Sequence, residues 1–392
     1  MAADATSAHT AGAAPGQSPL EGVALAHDYV TQRGGAERVA LSMSRAFARA
    51  PLYTTLYHPE GTFPEFADVD VRPMPINRWG VLRRNHRLAL PFLANAVSAQ
   101  HVEADVLLAS SSGWAHGIAT SGRKVVYCHA PARWLYQADR YAGTGVGSRG
   151  LRSRAVKAAT DVFGPSLRAW DQRAAHTADR YLVNSTVIQR AVSEIYGIEA
   201  EVLPPPPAVL SSDGGAEAVE GVTRPFVLCV ARLLPYKNVD LVIEAVARIP
   251  GLDLVIVGDG PERRRLEALA QRVGSTTLAG RVTDEQLRWL YAHSAGLVAA
   301  SYEDFGLSPL EAAAFGRPTA ALRDGGYLDT VDPGRTGVYF DAPAVDDIAG
   351  AVEELTRTEW REDEIRSHAD TFSEARFIAR LRAIVEEELH RR

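Results

Sequence analysis

Short apolar runs rich in β-branched residues recur along the chain, each followed by a stretch of helical spacing, and this alternation leaves few folds open. Strands buried on both faces appear as continuous Val/Ile/Leu runs and need a helix on each crossover, so the pattern predicts parallel βαβ units. The candidate strands are GVALAHDY, ADVLLASS, KVVYCHA and RYLVNS in the first half, and FVLCVA, DLVIVGD, TTLAG, GLVAAS, PTAAL and GVYF in the second. Between the two sets lies VLPPPPAVLSSDGGAEAVEGVTRP, whose proline run and Ser/Gly/Asp stretch continue neither a sheet nor a helix. A chain of 392 residues divided there gives two α/β domains of ordinary size. The expected layout is a tail at 1–20, a doubly wound domain at 21–207, a linker at 208–223, a second doubly wound domain at 224–371 and a closing helix at 372–392. The halves share a pattern without sharing sequence, which argues against a repeat array.

Composition adds exclusions. Cys128 and Cys229 are the only cysteines, each inside an apolar run, which implies buried thiols in a reducing compartment and no disulfide framework. Residues 1–20 carry no Lys or Arg and no continuous apolar core, and are expected to be a disordered tail and not a signal peptide. No apolar run approaches the about 18 residues of a membrane-spanning helix. The expectation is a cytoplasmic protein, with any membrane contact peripheral and at the inner face. Net charge is −6 but uneven, with 21 Lys/Arg against 17 Asp/Glu in residues 1–210 and 21 against 31 in 211–392. Arg72, Arg78, Arg83, Arg84 and Arg87 cluster beside LALPFLANAV, and Arg149, Arg152, Arg154 and Lys157 form a second group. Either these are ordinary solvated faces, or they meet lipid headgroups or an acidic acceptor. Nucleic acid is not expected, because no binding motif accompanies the basic groups and the whole chain is acidic.

Open parallel sheets bind ligands at the carboxyl ends of their strands, so two sheets with those ends facing each other make one cleft. In CVARLLPYKNVDLVIEAV, Arg232 and Lys237 follow a strand and precede a helix, suited to phosphate oxygens as a fork and a point charge; ion pairs to an acidic face are the alternative. Gly34 and Gly35 in HDYVTQRGGAERV precede a helix and would bare N–H groups at its start, although a tight turn explains them nearly as well. His129 follows VVYC at a strand's carboxyl end, as a structural histidine or one facing the cleft. SYEDFGLSPLEAAAFGRP places Glu303 and Glu311 across a loop that turns into a helix, with Ser308 as N-cap, Pro309 at the first helical position and Glu311 completing a capping box. Phe305-Gly306 lets the backbone run close to a ligand at the positive end of that helix. VGDGPERRRL lacks the third glycine of a dinucleotide fingerprint and is taken as a strand-to-helix turn. Asp68 and Asp70 alternate with Val69 and Val71 as on a half-exposed strand, without a partnering ligand, so no metal site is expected. No G-x-S-x-G elbow occurs. In the closing FSEARFIARLRAIVEEELHRR, Ser373 is the expected N-cap, with Phe372 and Phe377 as a hydrophobic staple.

Taken in order, HDYVTQRGGAERV, YCHAPARWLY, LVNS, ARLLPYKN, VGDGP, LAGRV and EDFGLSPLEAAAFGRP resemble the retaining GT-B glycosyltransferases of family 4, from about Gly22 to the C-terminal helix. The first two are most similar to the branch that transfers mannose from GDP-mannose. The resemblance implies two Rossmann-like domains facing across a cleft, no cofactor, no metal, and a nucleoside diphosphate sugar as donor, GDP-mannose favoured. It implies a hydroxyl of a glycan or lipid-linked acceptor as the other substrate. Glu303 and Glu311 match the family's paired glutamates, the first on the donor sugar's hydroxyls and the second on the nucleotide ribose. Arg232 and Lys237 match the diphosphate clamp, Gly34 and Gly35 the loop near the donor phosphates, and His129 a histidine near the reacting sugar. Arg281, Phe305, Gly306 and Leu307 are placed around the donor as well. His129, Arg232, Lys237 and Glu303 are thus the implied catalytic group. PPPPAV lacks the acid that usually ends the linker motif, and Gln137 stands where the mannose-transferring branch has an acid sooner; both bear on the sugar. A GT-B epimerase or hydrolase, and a non-catalytic sugar-nucleotide-binding protein, are the alternatives.

Overall fold

A computed structural model describes residues 20–136, 164–207, 215–222 and 225–391. The readings made for Gln137, Arg149, Arg152, Arg154, Lys157, nearly all of the tail and much of the linker lie outside those residues. The strands of the first half are β1 (Val23–His27), β2 (Leu52–Thr54), β3 (Val71–Pro73), β4 (His101–Val102), β5 (Val106–Ser111), β6 (Ala119–Thr120), β7 (Arg123–Cys128), β8 (Arg180–Val183) and β9 (Glu201–Val202). Seven form a parallel sheet in the order β3-β2-β1-β5-β7-β8-β9, while β4 and β6 pair separately. In the second half β10 (Phe226–Val230), β11 (Asp253–Val257), β12 (Thr276–Gly280), β13 (Leu297–Ala299), β14 (Thr319–Leu322) and β15 (Gly337–Phe340) form a second parallel sheet, ordered β12-β11-β10-β13-β14-β15. Strand order reverses beside β1 in one sheet and beside β10 in the other, which is where a doubly wound sheet opens a crevice at its carboxyl edge. β1, β5 and β14 are buried at every residue, as continuous apolar runs require.

Each sheet carries a core on both faces. The closing helix, Glu374–His390, does not finish the domain it follows. Its Phe377, Leu381, Ile384 and Val385 are buried among Leu25, Leu41, Phe47 and Tyr127 of the first domain. Full burial of such a side chain is worth about 1.5–3 kcal/mol, so four of them fasten the helix across the molecule. Ser42 and Arg45, on the helix α1 (Gly35–Ala46), both bond Glu374, at 2.6 and 2.7 Å, and Arg123 reaches the buried Glu388 at 2.5 Å.

Two local readings are corrected by tertiary packing. Ser373 holds the N-cap position but makes no side-chain cap bond, and the expected staple partners separate. Phe377 turns into the first domain, 5.9 Å from the Tyr127 ring, while Phe372 lies 6.2 Å from Phe305 and 5.3 Å from His368. Asp68 ends a short 3-10 turn, Pro64–Asp68, and the strand begins only at Val71, so the half-exposed strand read across Asp68–Asp70 does not form.

Candidate functional site

The register of the first sheet determines what meets at its carboxyl edge. His27 ends β1 opposite Ser110 of β5, and Ser111 lies opposite Cys128, the last residue of β7. His129 follows immediately, with its N–H on Ser111 O at 2.9 Å and its carbonyl accepting from Asn184 at 2.9 Å. Ser110 Oγ then sits 2.9 Å from His27 Nδ1 and 2.8 Å from His129 Nε2. Burial, with the neighbouring His27 and Arg133 charges, lowers the His129 pKa to about 3, so its imidazole is neutral at physiological pH. The hydroxyl has one proton and two lone pairs, so Ser110 donates to at most one of the two rings and at least one ring donates N–H to it.

α1 opens with Gly34 as N-cap and Gly35 as its first residue; glycine has no side chain to cap the helix, and the buried Glu37 carboxyl folds back toward the Gly34 backbone. A Cβ placed on Gly35 would stand 3.6 Å from Leu307 Cδ1, so this helix start faces the second domain directly. Arg38, one turn on, lies 4.6 Å over the Phe63 ring. Its charge also acts on Glu311 across the cleft.

In the second domain the chain leaves β10 through Ala231, Arg232 and Leu233 and makes a 3-10 turn at Pro235–Lys237. Asn238 takes a left-handed conformation, φ 54°, and bonds Ala300 O at 2.7 Å, tying this loop to the one after β13. The Lys237 ammonium donates to Glu303, which also accepts from Ser301 Oγ at 2.7 Å. Burial depresses the Lys237 pKa, but the Glu303 carboxylate reverses this, and the net shift is upward. Arg232 is exposed and makes no ion pair among the described residues. Gly258, after β11, packs under this loop: a Cβ there would fall 2.0 Å from Ala231 O, so the VGDGP glycine serves close packing.

The helix Leu307–Ala314 corrects the capping-box reading. Gly306, at φ 82°, is the N-cap, the helix starts at Leu307, and neither Ser308 nor Glu311 caps it. A side chain on Gly306 would strike the Tyr327 ring at 2.5 Å, so the turn needs glycine twice over. Glu311 instead accepts from Tyr291 OH at 2.8 Å. Its carboxyl is raised by burial, against the Tyr291 bond and the Arg38 charge. Phe305 buries its ring against Phe372, leaving its backbone to the loop. Arg281 follows the edge strand β12, 86% exposed and 3.7 Å from Asp259, whose carbonyl accepts from Leu233 N of the loop after β10 at 3.0 Å.

The domains touch beside these loops. Arg133 pairs with the buried Asp304, Ser185 Oγ donates to Asp304 O, and Thr186 N donates to Asp329 at 2.9 Å. The structure thus brings Gly35 against Leu307 and Lys237 against Glu303, with Gly34, Gly306 and Glu311 on the same segments, while Arg232 and His129 stand just after strands β10 and β7. Sequence reasoning missed Arg38, Tyr291, His27 and Ser110. Arg38 carried a usable signal, one helical turn beyond Gly34-Gly35; the others needed strand register or tertiary contact. Among the described residues, no group of three or more His, Cys, Asp or Glu is placed to hold a metal ion.

Two parallel Rossmann-like domains meeting at their carboxyl edges define the GT-B class of fold. The family model described as Glycosyltransferase Family 4 matches residues 33–206, and the one described as Glycosyl transferases group 1 matches residues 216–372. The chain belongs to the GT-B glycosyltransferases, with a family 4 domain followed by a group 1 domain. Over 150 residues it is 35% identical to the GDP-mannose-dependent alpha-(1-6)-phosphatidylinositol monomannoside mannosyltransferase of Mycobacterium tuberculosis (strain CDC 1551 / Oshkosh), covering 34% of this chain and 38% of that protein. With the D-inositol 3-phosphate glycosyltransferase of Mycolicibacterium smegmatis it shares 31% identity over 227 residues, 51% of each chain. The matches thus span about half or less of these relatives. Among solved structures, Anabaena HepE in complex with UDP-glucose superposes with a TM-score of 0.65 at 17% identity, over 93% of this chain and 99% of that one. Sucrose-phosphate synthase from Thermosynechococcus elongatus gives 0.66 at 17% identity, over 94% and 100%. At such identities the likeness is one of fold.

Proposed function

We propose that the chain is a retaining hexosyltransferase that moves mannose from GDP-mannose to a hydroxyl of a glycan or lipid-linked acceptor, without a metal ion. The observation that carries this is the Lys237–Glu303 pair, on a loop whose continuation, Leu307, meets the start of α1 at Gly35, with the exposed Arg232 five residues before Lys237. A donor diphosphate offers Lys237 a stronger partner than one carboxylate oxygen. Binding would exchange the pair: Lys237 and Arg232 take the diphosphate, and Glu303, released, takes sugar hydroxyls. The N–H groups at Gly34–Gly35 and at Gly306–Leu307 add fixed dipoles where charge develops on the leaving group. Glu311, held by Tyr291, is left for the ribose. His129, neutral, offers a hydrogen bond beside the sugar without adding positive charge to an oxocarbenium-like centre. The mannose choice draws support from the GDP-mannose-dependent relative.

The test is a thermal-shift screen with GDP, UDP, dTDP and ADP and their sugars, followed by NMR assignment of the product's anomeric centre. A donor that binds the native state raises the melting temperature by mass action. GDP-mannose should give the largest rise, and the product should keep the donor's configuration. A response to UDP sugars alone overturns the donor, and an inverted product overturns the retaining mechanism. Turnover of donor without acceptor points to a hydrolase.

A further inference from the structure

One segment of the first domain takes no part in the cleft chemistry. Between Asp70 and Glu103 the chain holds five arginines and no Asp or Glu. It folds as short helical pieces: a turn at Pro75–Arg78, the helix α2 (Gly80–Arg84), a turn at His86–Leu88 and the helix α3 (Leu90–Ser98). Leu93, Ala94 and Val97 bury α3 in the domain core. Trp79 is 59% exposed, Val81 61%, Leu88 51% and Phe92 55%, and only one other large hydrophobic among the described residues, Leu328, is exposed. Leu88 and Phe92 are four apart through the helical backbone of Ala89, which puts them on one face. Arg78 and Arg84 are exposed within the same stretch, and neither they nor Arg83 makes an ion pair among the described residues.

Single exposed apolar residues are ordinary, but four within fourteen positions, interleaved with arginines and free of carboxylates, are the composition of an interfacial surface. We propose that this face docks on an anionic lipid surface, with Trp79, Val81, Leu88 and Phe92 at the headgroup–acyl boundary and the arginines on lipid phosphates. The segment is also tied to the cleft. The His86 ring stacks on Tyr29 at 4.5 Å, and its Nδ1 lies 3.2 Å from Thr31 Oγ1; both partners belong to the loop running from β1 to Gly34. Docking here sets the first-domain wall of the cleft against the bilayer, where the hydroxyl of a lipid-linked acceptor lies at headgroup level. That last step rests on the proposed glycosyl transfer; the docking does not.

The experiment is sedimentation with vesicles of phosphatidylcholine alone or mixed with phosphatidylglycerol, at low and high salt, with GDP thermal shift measured on every variant. The protein should sediment with the anionic vesicles at low salt and release as salt screens them. Replacing Arg83 and Arg84 by Gln should weaken partitioning about fivefold per arginine, and Phe92→Ser about tenfold, with the GDP response unchanged. The fluorescence blue shift on binding should disappear in Trp79→Phe. Equal partitioning to neutral vesicles, or undiminished partitioning of these variants, overturns the proposal. So does self-association abolished by Phe92→Ser in a protein that ignores vesicles. Loss of the GDP response with vesicle binding intact counts against the donor reading alone.

Discussion

Replacing Lys237 by Ala removes the cation that pairs with Glu303. The Lys237 side chain is only 12% exposed, and its upward pKa shift keeps the ammonium charged throughout the neutral range. A hydrogen bond to a charged partner is worth about 1.5–3 kcal/mol, or roughly 10- to 150-fold in affinity or rate. In the proposed transfer, charge grows on the departing diphosphate, so a Lys237 bond to it is stronger in the transition state than in the ground state. The loss should therefore fall on kcat more than on donor KM. A competing account makes Lys237 merely the neutraliser of Glu303. Then Lys237→Ala would act by leaving a carboxylate unpaired, and the double variant Lys237→Ala/Glu303→Gln would recover melting temperature and match the rate of Glu303→Gln alone. Under the clamp account the double variant recovers stability but stays slower than Glu303→Gln alone. The assay is steady-state kinetics with GDP-mannose, with GDP titration calorimetry and thermal melts on the single and double variants. A Lys237→Ala enzyme with unchanged kcat and KM, or a double variant as fast as Glu303→Gln alone, refutes the clamp.

His129→Ala should lower kcat and leave GDP affinity nearly unchanged; and because its pKa is held near 3, no limb of the pH–rate profile near neutrality should vanish with it. Ser110→Ala should shift the His27 and His129 ring signals in nitrogen-15 spectra and reduce kcat with little change in KM, whereas a purely structural Ser110 would change only the melting temperature. Arg232→Lys should raise donor KM and depress kcat, since a point charge does not replace a bidentate fork, and kinetics on the purified variant decides it. Glu37, buried on α1, has its carboxyl pushed up from 4.5 to about 7 by burial. The native state therefore keeps this proton where the unfolded chain loses it, and stability from this group is full below pH 4.5 and is lost as pH rises toward 7, by about 3 kcal/mol. Glu37→Gln should flatten that part of the melting profile; an unchanged slope refutes the assignment.

All ten strands expected from the apolar runs form, because each lies in a run bounded by turn or helix signals. β2, β3, β4, β6 and β9 were not legible: each has two or three residues without a surrounding continuous apolar run, and exists because a neighbouring strand pairs with it. The site residues on loops after strands were legible for a similar reason, since the carboxyl edge of a parallel sheet is defined by where the apolar runs stop. What failed was local grammar overruled by tertiary contact. Ser308-Pro309 looks like a helix start, but Gly306 already supplies the turn against Tyr327. Phe372 and Phe377 have staple spacing, but Tyr127 is the better partner for one of them. The His27–Ser110–His129 chain joins three strands and becomes visible only once their register is known.

The C-terminal helix bears on how the cleft works. Having completed the second sheet, the chain crosses back near Phe372 and buries Phe377, Leu381, Ile384 and Val385 in the first domain, so the helix is packed on the domain that carries His129 and Gly35. Phe372 stays behind, against Phe305 in the loop between Glu303 and Glu311. The crossing point thus touches the loop proposed to hold the donor, while its next turn belongs to the opposite wall. On the same side, Arg133 and Ser185 of the first domain both hold Asp304, one residue after Glu303. Separating the domains breaks the contacts of Arg133 and Ser185 with Asp304, next to Phe305. The short segment between the two glutamates therefore carries the contacts with the first domain and, on the proposed function, the groups that recognise the sugar.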